Sequence, residues 1–305
     1  MNTTSGNLCF DKEESIEELL KLGIIIIDKP RGPSSHQVAE WARNILGLEK
    51  SGHLGTLDSN VSGVLPVLLG KATNTSYLLM QHDKEYIGII KFNKELPESE
   101  LIKLFEEFTG EIWQIPPIGA AVARVKRKRM IYSLRLLEIK GKEILFDVKC
   151  EAGTYIRTLA EDMGEKIGGA KLIELRRINV GGFSEKNAIS LQELSDASWL
   201  WKEKKNEKML KKILHPIEDA LTGIKKIWVN DKAAEAICNG AQLMAPGIAK
   251  FEEGMDIGDN VVILNKCGKL IAFGEAKMSS KELKTVQKGQ VIKTKRVIME
   301  RKPKK

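Results

Sequence analysis

The sequence predicts an α+β protein with a mixed or antiparallel sheet, followed by a small C-terminal β-barrel. Three observations carry this. The chain has 305 residues, more than a typical single domain, and 42% apolar residues are enough for packed cores. Up to about residue 183, strand-like and helix-like stretches alternate irregularly, unlike the regular succession of a doubly wound sheet. From Ile224 onward the pattern changes to short strands punctuated by Gly and Asp.

In chain order, residues 1–20 are polar and acidic and read as a tail or arm, with a short helical pattern at Ile16, Leu19 and Leu20. Residues 23–28 are a run of isoleucines of strand length, closed by Pro30. Residues 34–46 carry the helical period in Val38, Trp41, Ala42 and Ile45, with Ser34 or Ser35 as cap. Residues 84–92 read as a strand, 99–108 as a helix with Leu101, Leu104, Phe105 and Phe108 on one face, and 144–150 as a strand. Residues 154–167 read as a helix whose inner stripe is Ile156, Leu159, Ala160, Met163 and Ile167, with Arg157 in its first turn. A connecting segment, 184–223, contains Trp199 and Trp201, which read as core anchors rather than stacking platforms. The expected domains are thus 21–223 and 224–300, with strands at 227–229, 261–264, 270–273 and 291–298, and a basic tail at 301–305.

A formal charge of +8 and a pI near 9.1 favour a polyanionic partner over a generic basic surface only slightly. Cysteines 9, 150, 238 and 267 show no CxxC spacing, and the four histidines lie far from them, so reduced thiols and no structural metal are expected. No stretch reaches the roughly 18 apolar residues of a membrane span, and the start lacks a basic region followed by an apolar run, which predicts a cytoplasmic protein.

Residues 52–70, GHLGTLDSNVSGVLPVLLG, hold one carboxylate, Asp58, in a loop of small residues. Gly52, Gly55 and Gly63 permit tight turns and close ligand approach, and residues 64–69 carry the loop into the core. A lone acid there is either a turn-capping Asp or a candidate nucleophile. Residues 115–132 crowd Arg124, Lys126, Arg127, Lys128 and Arg129 together, a run that in isolation reads as a solvated face. The stretch 63–71 lacks the spacing of a phosphate loop, and there is no GxSxG elbow.

Five blocks in order resemble the TruB and dyskerin family of pseudouridine synthases. They are Ile27-Asp28-Lys29-Pro30 with Gly32 and Ser34-Ser35-His36; the loop around Asp58; Lys84-Glu85-Tyr86; Gly153-Thr154-Tyr155-Ile156-Arg157; and Leu175-Arg176-Arg177. The second half, with Asn239-Gly240-Ala241, Pro246-Gly247-Ile248 and Ala272-Phe273-Gly274, resembles a PUA RNA-binding domain. Pro216-Ile217-Glu218 resembles the archaeal and eukaryotic dyskerin branch, the catalytic subunit of H/ACA ribonucleoproteins.

The resemblance implies site residues. Asp58 is the nucleophile, Arg157 its salt-bridge partner, and Tyr86 a stacking residue that assists proton removal. His53, Leu175 and Lys29 contact substrate, and Arg127, Lys128 and Arg129 belong to a basic thumb loop over RNA. It also implies partners: H/ACA guide RNA, rRNA or tRNA substrate, and the small H/ACA proteins. Two alternatives stand beside this reading: a stand-alone synthase acting on the tRNA T-loop, and a non-catalytic RNA-binding or ribosome-assembly scaffold. The chemistry fits one carboxylate. Breaking the bond from sugar to N1, turning the base and rejoining at C5 changes no oxidation state and imports no atom, so no cofactor is expected. One group that adds covalently to the sugar or the base, then leaves, is sufficient. The base must first leave the stack, which asks for an aromatic or apolar wall worth ~1–3 kcal/mol.

Overall fold

Ser34 decides where the first long helix begins: its side chain accepts from the Gln37 amide while Gln37 reaches back to the Ser34 N–H, a reciprocal cap. The computed structural model describes residues 14–119 and 122–300. Contacts divide it into a larger unit, Ile25–Leu68 with Leu79–Ile213, and a smaller one holding the described residues through Ile24, Leu69–Leu78, and the chain from Leu214 on.

In chain order the elements begin with α1 (Ile16–Leu22), β1 (Gly23–Lys29), α2 (Ser35–Leu46), β2 (Ser51–His53), β3 (Ser62–Leu69), α3 (Ser76–Leu79) and β4 (Lys84–Phe92). There follow α4 (Glu98–Glu107), β5 (Gly110–Gln114), β6 (Arg127–Lys140), β7 (Glu143–Cys150), α5 (Ile156–Glu165), β8 (Ala170–Val180), β9 (Phe183–Ser184), α6 (Leu191–Lys204) and α7 (Lys208–Ile213). The strands of the larger unit run β1-β3-β8-β4-β7-β6-β5, with β2 on β3 and β9 on β8. β3 is parallel to β8, while β4 is antiparallel to both β8 and β7, so the sheet is mixed, as its irregular order in the sequence implies.

β4 alternates strictly: Lys84, Tyr86, Gly88, Ile90 and Phe92 face inward and the residues between them are half-exposed. The apolar stripes of α4 and α5 close over this face, with Leu101, Leu104, Leu159 and Met163 packed on Ile90, Phe92 and Phe146. The helix expected at 99–108 starts one residue earlier and has no side-chain cap, since Pro97 occupies the cap position; α5 is shorter at both ends than 154–167.

Where a thumb loop is expected, the described residues from 115 to 126 carry no helix or strand, but the loop ends before the basic run 127–129. From Arg127 on, the chain is strand, because β5 supplies a ladder partner that pairs Arg127 with Gln114 and Arg129 with Ile112. Trp199 is also corrected: it is 53% exposed on α6, with the Lys204 ammonium 5.4 Å from its ring centre.

In the smaller unit, α1 is not a loose arm. Ser15 and Glu18 form a reciprocal cap, and Ile16, Leu19 and Leu20 are buried. The remaining elements are β10 (Leu214–Pro216), β11 (Lys225–Val229), α8 (Asp231–Cys238), β12 (Leu243–Met244), β13 (Ile248–Phe251), β14 (Asn260–Leu264), β15 (Leu270–Ala276), α9 (Ser280–Leu283) and β16 (Gln290–Val297). Six of the strands form one barrel-like sheet in the order β12-β16-β15-β14-β11-β13, around Ile227, Val261, Ile263, Ile271 and Val291. Cys150 and Cys238 are free thiols, and Cys9 lies outside the described residues. The expected basic tail at 301–305 and residues 1–13 of the expected arm lie outside the described residues.

Candidate active site

The loop between β2 and β3 is exposed at its tip and fastened from below by buried polar side chains. Ser35, at the start of α2, accepts from the Leu57 N–H (2.8 Å) and donates to the Leu57 carbonyl (2.9 Å). Lys29, at the end of β1, is wholly buried and donates to the carbonyls of Val61 (2.7 Å), Pro30 (2.9 Å) and Ser59 (3.4 Å). Arg177 of β8, 1% exposed, donates from Nε to the Val64 carbonyl (2.8 Å) and from Nη2 to that of Gly55 (3.0 Å). Gly55 has φ +76°, and an added Cβ would stand 3.2 Å from Arg177 Nη1; Gly63 has φ +110°, and its Cβ would meet the Arg177 carbonyl at 2.1 Å. Gly52, by contrast, lies in ordinary strand.

Asp58 stands on this loop with its side chain 56% exposed, and Arg157 Nη2, from the first turn of α5, donates to its Oδ2. Both partners are about half exposed, so the pair contributes only about 0–1 kcal/mol to stability. Its consequence is direction: a carboxylate held by one guanidinium points one way. The two groups border a cavity of about 650 Å³ whose apolar walls include Leu57, Val61, Tyr86 and Leu175. That size lies in the range of small-ligand pockets and is ample for an extruded nucleotide.

Tyr86, 8% exposed, lies between Val148 and Arg177 in the sheet. Burial raises its pKa, and the neighbouring Arg177 cation partly opposes this. Lys84 lines the same cavity at 7% exposure; burial, and then Arg177, lower its pKa to about 8. Burial also lowers the pKa of Lys29, with Asp58 acting in the opposite sense.

Sequence reasoning and geometry agree on bringing Asp58, Tyr86, Arg157 and Leu175 together around one cavity. Lys29 is corrected from a substrate contact to a brace, because its ammonium is enclosed and occupied by three carbonyls. His53 sits beside the loop in β2, its Nδ1 buried without a hydrogen-bond partner, and burial lowers its pKa. Arg127, Lys128 and Arg129 are engaged with protein: Lys128 with Glu111, Arg129 with the Gly153 carbonyl (3.1 Å), Arg127 with that of Ala123 (3.5 Å). Arg177, Lys84 and Ser35 went unassigned. A charged residue at an inward position of the alternating strand β4 was the available signal for Lys84.

Profiles of known families match along the chain: TruB family pseudouridylate synthase (N terminal domain) at residues 43–156, tRNA pseudouridylate synthase B C-terminal domain at 157–222, a PUA domain at 225–298, and a DKCLD domain at 11–39. A probable tRNA pseudouridine synthase B of Pyrobaculum aerophilum is 45% identical over 290 residues, covering 95% of this chain and 87% of that protein. The chain belongs to the TruB family of pseudouridylate synthases. The TruB-family homologue of Methanocaldococcus jannaschii is also 45% identical, over 96% of this chain and 88% of its own length. Among solved structures, a Cbf5-Nop10-Gar1 complex superposes with a TM-score of 0.91 at 43% identity, covering 94% of this chain and 88% of that one. An H/ACA RNP bound to a substrate RNA containing 2'-deoxyuridine gives 0.88 at 41% identity, with the same coverages. This TruB-family chain is therefore a pseudouridine synthase, and its C-terminal sheet is a PUA domain.

Proposed function

We propose that the chain isomerises uridine to pseudouridine within RNA, with Asp58 as nucleophile, Arg157 directing it, and Tyr86 and Leu175 enclosing the extruded base. The observation that carries this is the Asp58–Arg157 pair standing at the border of a cavity of about 650 Å³ whose walls include Leu57, Val61, Tyr86 and Leu175. Asp58 adds to the sugar or to the ring, the C1'–N1 bond breaks, the base turns, C1' bonds to C5, and the bond to Asp58 breaks again so that its carboxylate is restored. The C5 proton leaves and N1 gains one, so atoms and electrons balance. Tyr86, kept neutral by burial, supplies a wall and a hydroxyl in place of lost stacking.

The target is chosen by an H/ACA-type guide RNA pairing with rRNA, and small H/ACA proteins complete the particle in the cytoplasm. Supporting this are the 0.91 and 0.88 superpositions on H/ACA assemblies. A guided enzyme delegates sequence choice to base pairing, and a PUA domain then grips the guide. Among the described residues no helix is long and apolar enough to cross a membrane. His53 flanks the opened site, and Arg127, Lys128 and Arg129 contribute positive potential near it. Direct action on tRNA is the second reading, favoured by the names of the relatives 45% identical to this chain.

The test is tritium release from RNA carrying [5-³H]uridine, on a tRNA transcript alone and on a guide-paired RNA with partner proteins. Asp58→Asn is nearly isosteric and should abolish release while RNA binding persists; turnover near wild-type would remove Asp58 from the role. Efficient action on tRNA alone, with no gain from guide and partners, would select the second reading.

A further inference from the structure

Arg177 is the largest fully buried side chain among the described residues, and no ion pair with a carboxylate is found for it there. A buried cation without a counter-ion is expensive, and sheet strands do not need one. What it has instead is a set of neighbours from three separate places. Its Nε bonds Val64 at the start of β3, its Nη2 bonds Gly55 at the start of the Asp58 loop, and across the ladder it stands opposite Tyr86 on β4. Its own backbone on β8 packs against Gly63 so closely that no Cβ fits there. Tyr86 and Arg177 are direct cross-strand partners, and both line the cavity.

We propose that Arg177 is a positioning residue that couples Tyr86 to the Asp58 loop, so that the wall of the base pocket and the nucleophile hold one fixed geometry. The planar fork suits this where a lysine would not: it reaches two carbonyls at once with a set angle between them while lying beside Tyr86 in the ladder. Gly55 is the matching half of the device, because a side chain there would push into the fork. The guanidinium acts through Tyr86 and the loop, not on the reacting atoms, so its loss is felt in turnover more than in binding.

This rests on the proposed synthase activity, and the test separates the two. Tritium release is measured over a range of RNA concentrations up to saturation for wild type, Arg177→Lys, Tyr86→Phe and the double variant, on whichever substrate the wild type turns over; an inactive wild type refutes the activity itself. With an active wild type, Arg177→Lys lowers kcat with little change in KM, and the double variant is less impaired than the product of the single losses by about tenfold, the mark of two residues acting as a unit. Strictly multiplicative losses, or a loss confined to KM, overturn the coupling. If Arg177→Lys fails to fold, the same cycle is run with Gly55→Ala, whose methyl group displaces the fork without deleting the charge.

Discussion

Replacing Lys84 with Met removes a charge that the fold holds against its own environment. The ammonium is 7% exposed and donates to the carbonyls of Met80 (2.9 Å) and His82. Even so, burial and the Arg177 cation, opposed by Cys150 and Asp83, bring its pKa from 10.5 down to about 8. The folded state therefore binds this proton more weakly than the unfolded chain, and stability rises with pH between about 8 and 10.5. At about 1.4 kcal/mol per tenfold, the charged lysine costs the fold roughly 3 kcal/mol at pH 7 and about 1 kcal/mol at pH 10. Urea denaturation of wild type and Lys84→Met at the two pH values isolates the term, because every other titrating group cancels in the difference. The gap between wild type and variant should shift by about 2–3 kcal/mol in favour of wild type on going from pH 7 to pH 10. A gap that does not move with pH would mean the ammonium is fully compensated, and would refute the account of the cavity floor as a place of uncompensated positive charge.

Ser35→Ala leaves the N–H and carbonyl of Leu57 without their partner, which should destabilise by about 1–3 kcal/mol and lower kcat with KM held, read by denaturation and single-turnover kinetics. Asp162 has its pKa raised to about 6 by burial and then by Glu165 and Glu161, so its ionisation weakens the fold as pH climbs from about 4 to 6. Asp162→Asn should be more stable than wild type above pH 6, with the advantage gone below pH 4, as followed by thermal melts across that range.

The parts of the fold that were legible are those where one face is dry. α2 shows its 3.6 period because Val38, Ala39, Ala42 and Leu46 are buried among polar neighbours, although Trp41 is 43% exposed, whereas β4 is legible by its Tyr, Ile and Phe content, since Lys84 lies inward and Ile87 and Ile89 outward. β8 gave no such pattern, although it is central. Its Glu174, Arg176 and Arg177 interrupt the apolar run, and only the structure shows that Arg176 forks onto Asp28 (3.0 and 3.1 Å) while Arg177 turns inward. β6 was hidden similarly, since a strand that opens Arg-Lys-Arg has the composition of a solvated loop, and its identity depends on a ladder with β5.

The site divides along a related line. Asp58, Tyr86, Arg157 and Leu175 stood in the sequence as members of short ordered blocks, and those blocks converge on one cavity. Lys29, Arg177 and Ser35 stood in such blocks as well, yet their work could not be read there. Lys29 and Arg177 are cations whose partners are backbone carbonyls of Gly55, Ser59, Val61 and Val64. A carboxylate partner leaves a letter in the sequence; a carbonyl partner leaves none, because every residue has one. A buried cation that fastens a loop therefore looks, from sequence, like a cation waiting for phosphate. The fold tells them apart by enclosure: Lys29 has no surface left to offer a phosphate, whereas Arg157, half exposed beside Asp58, does.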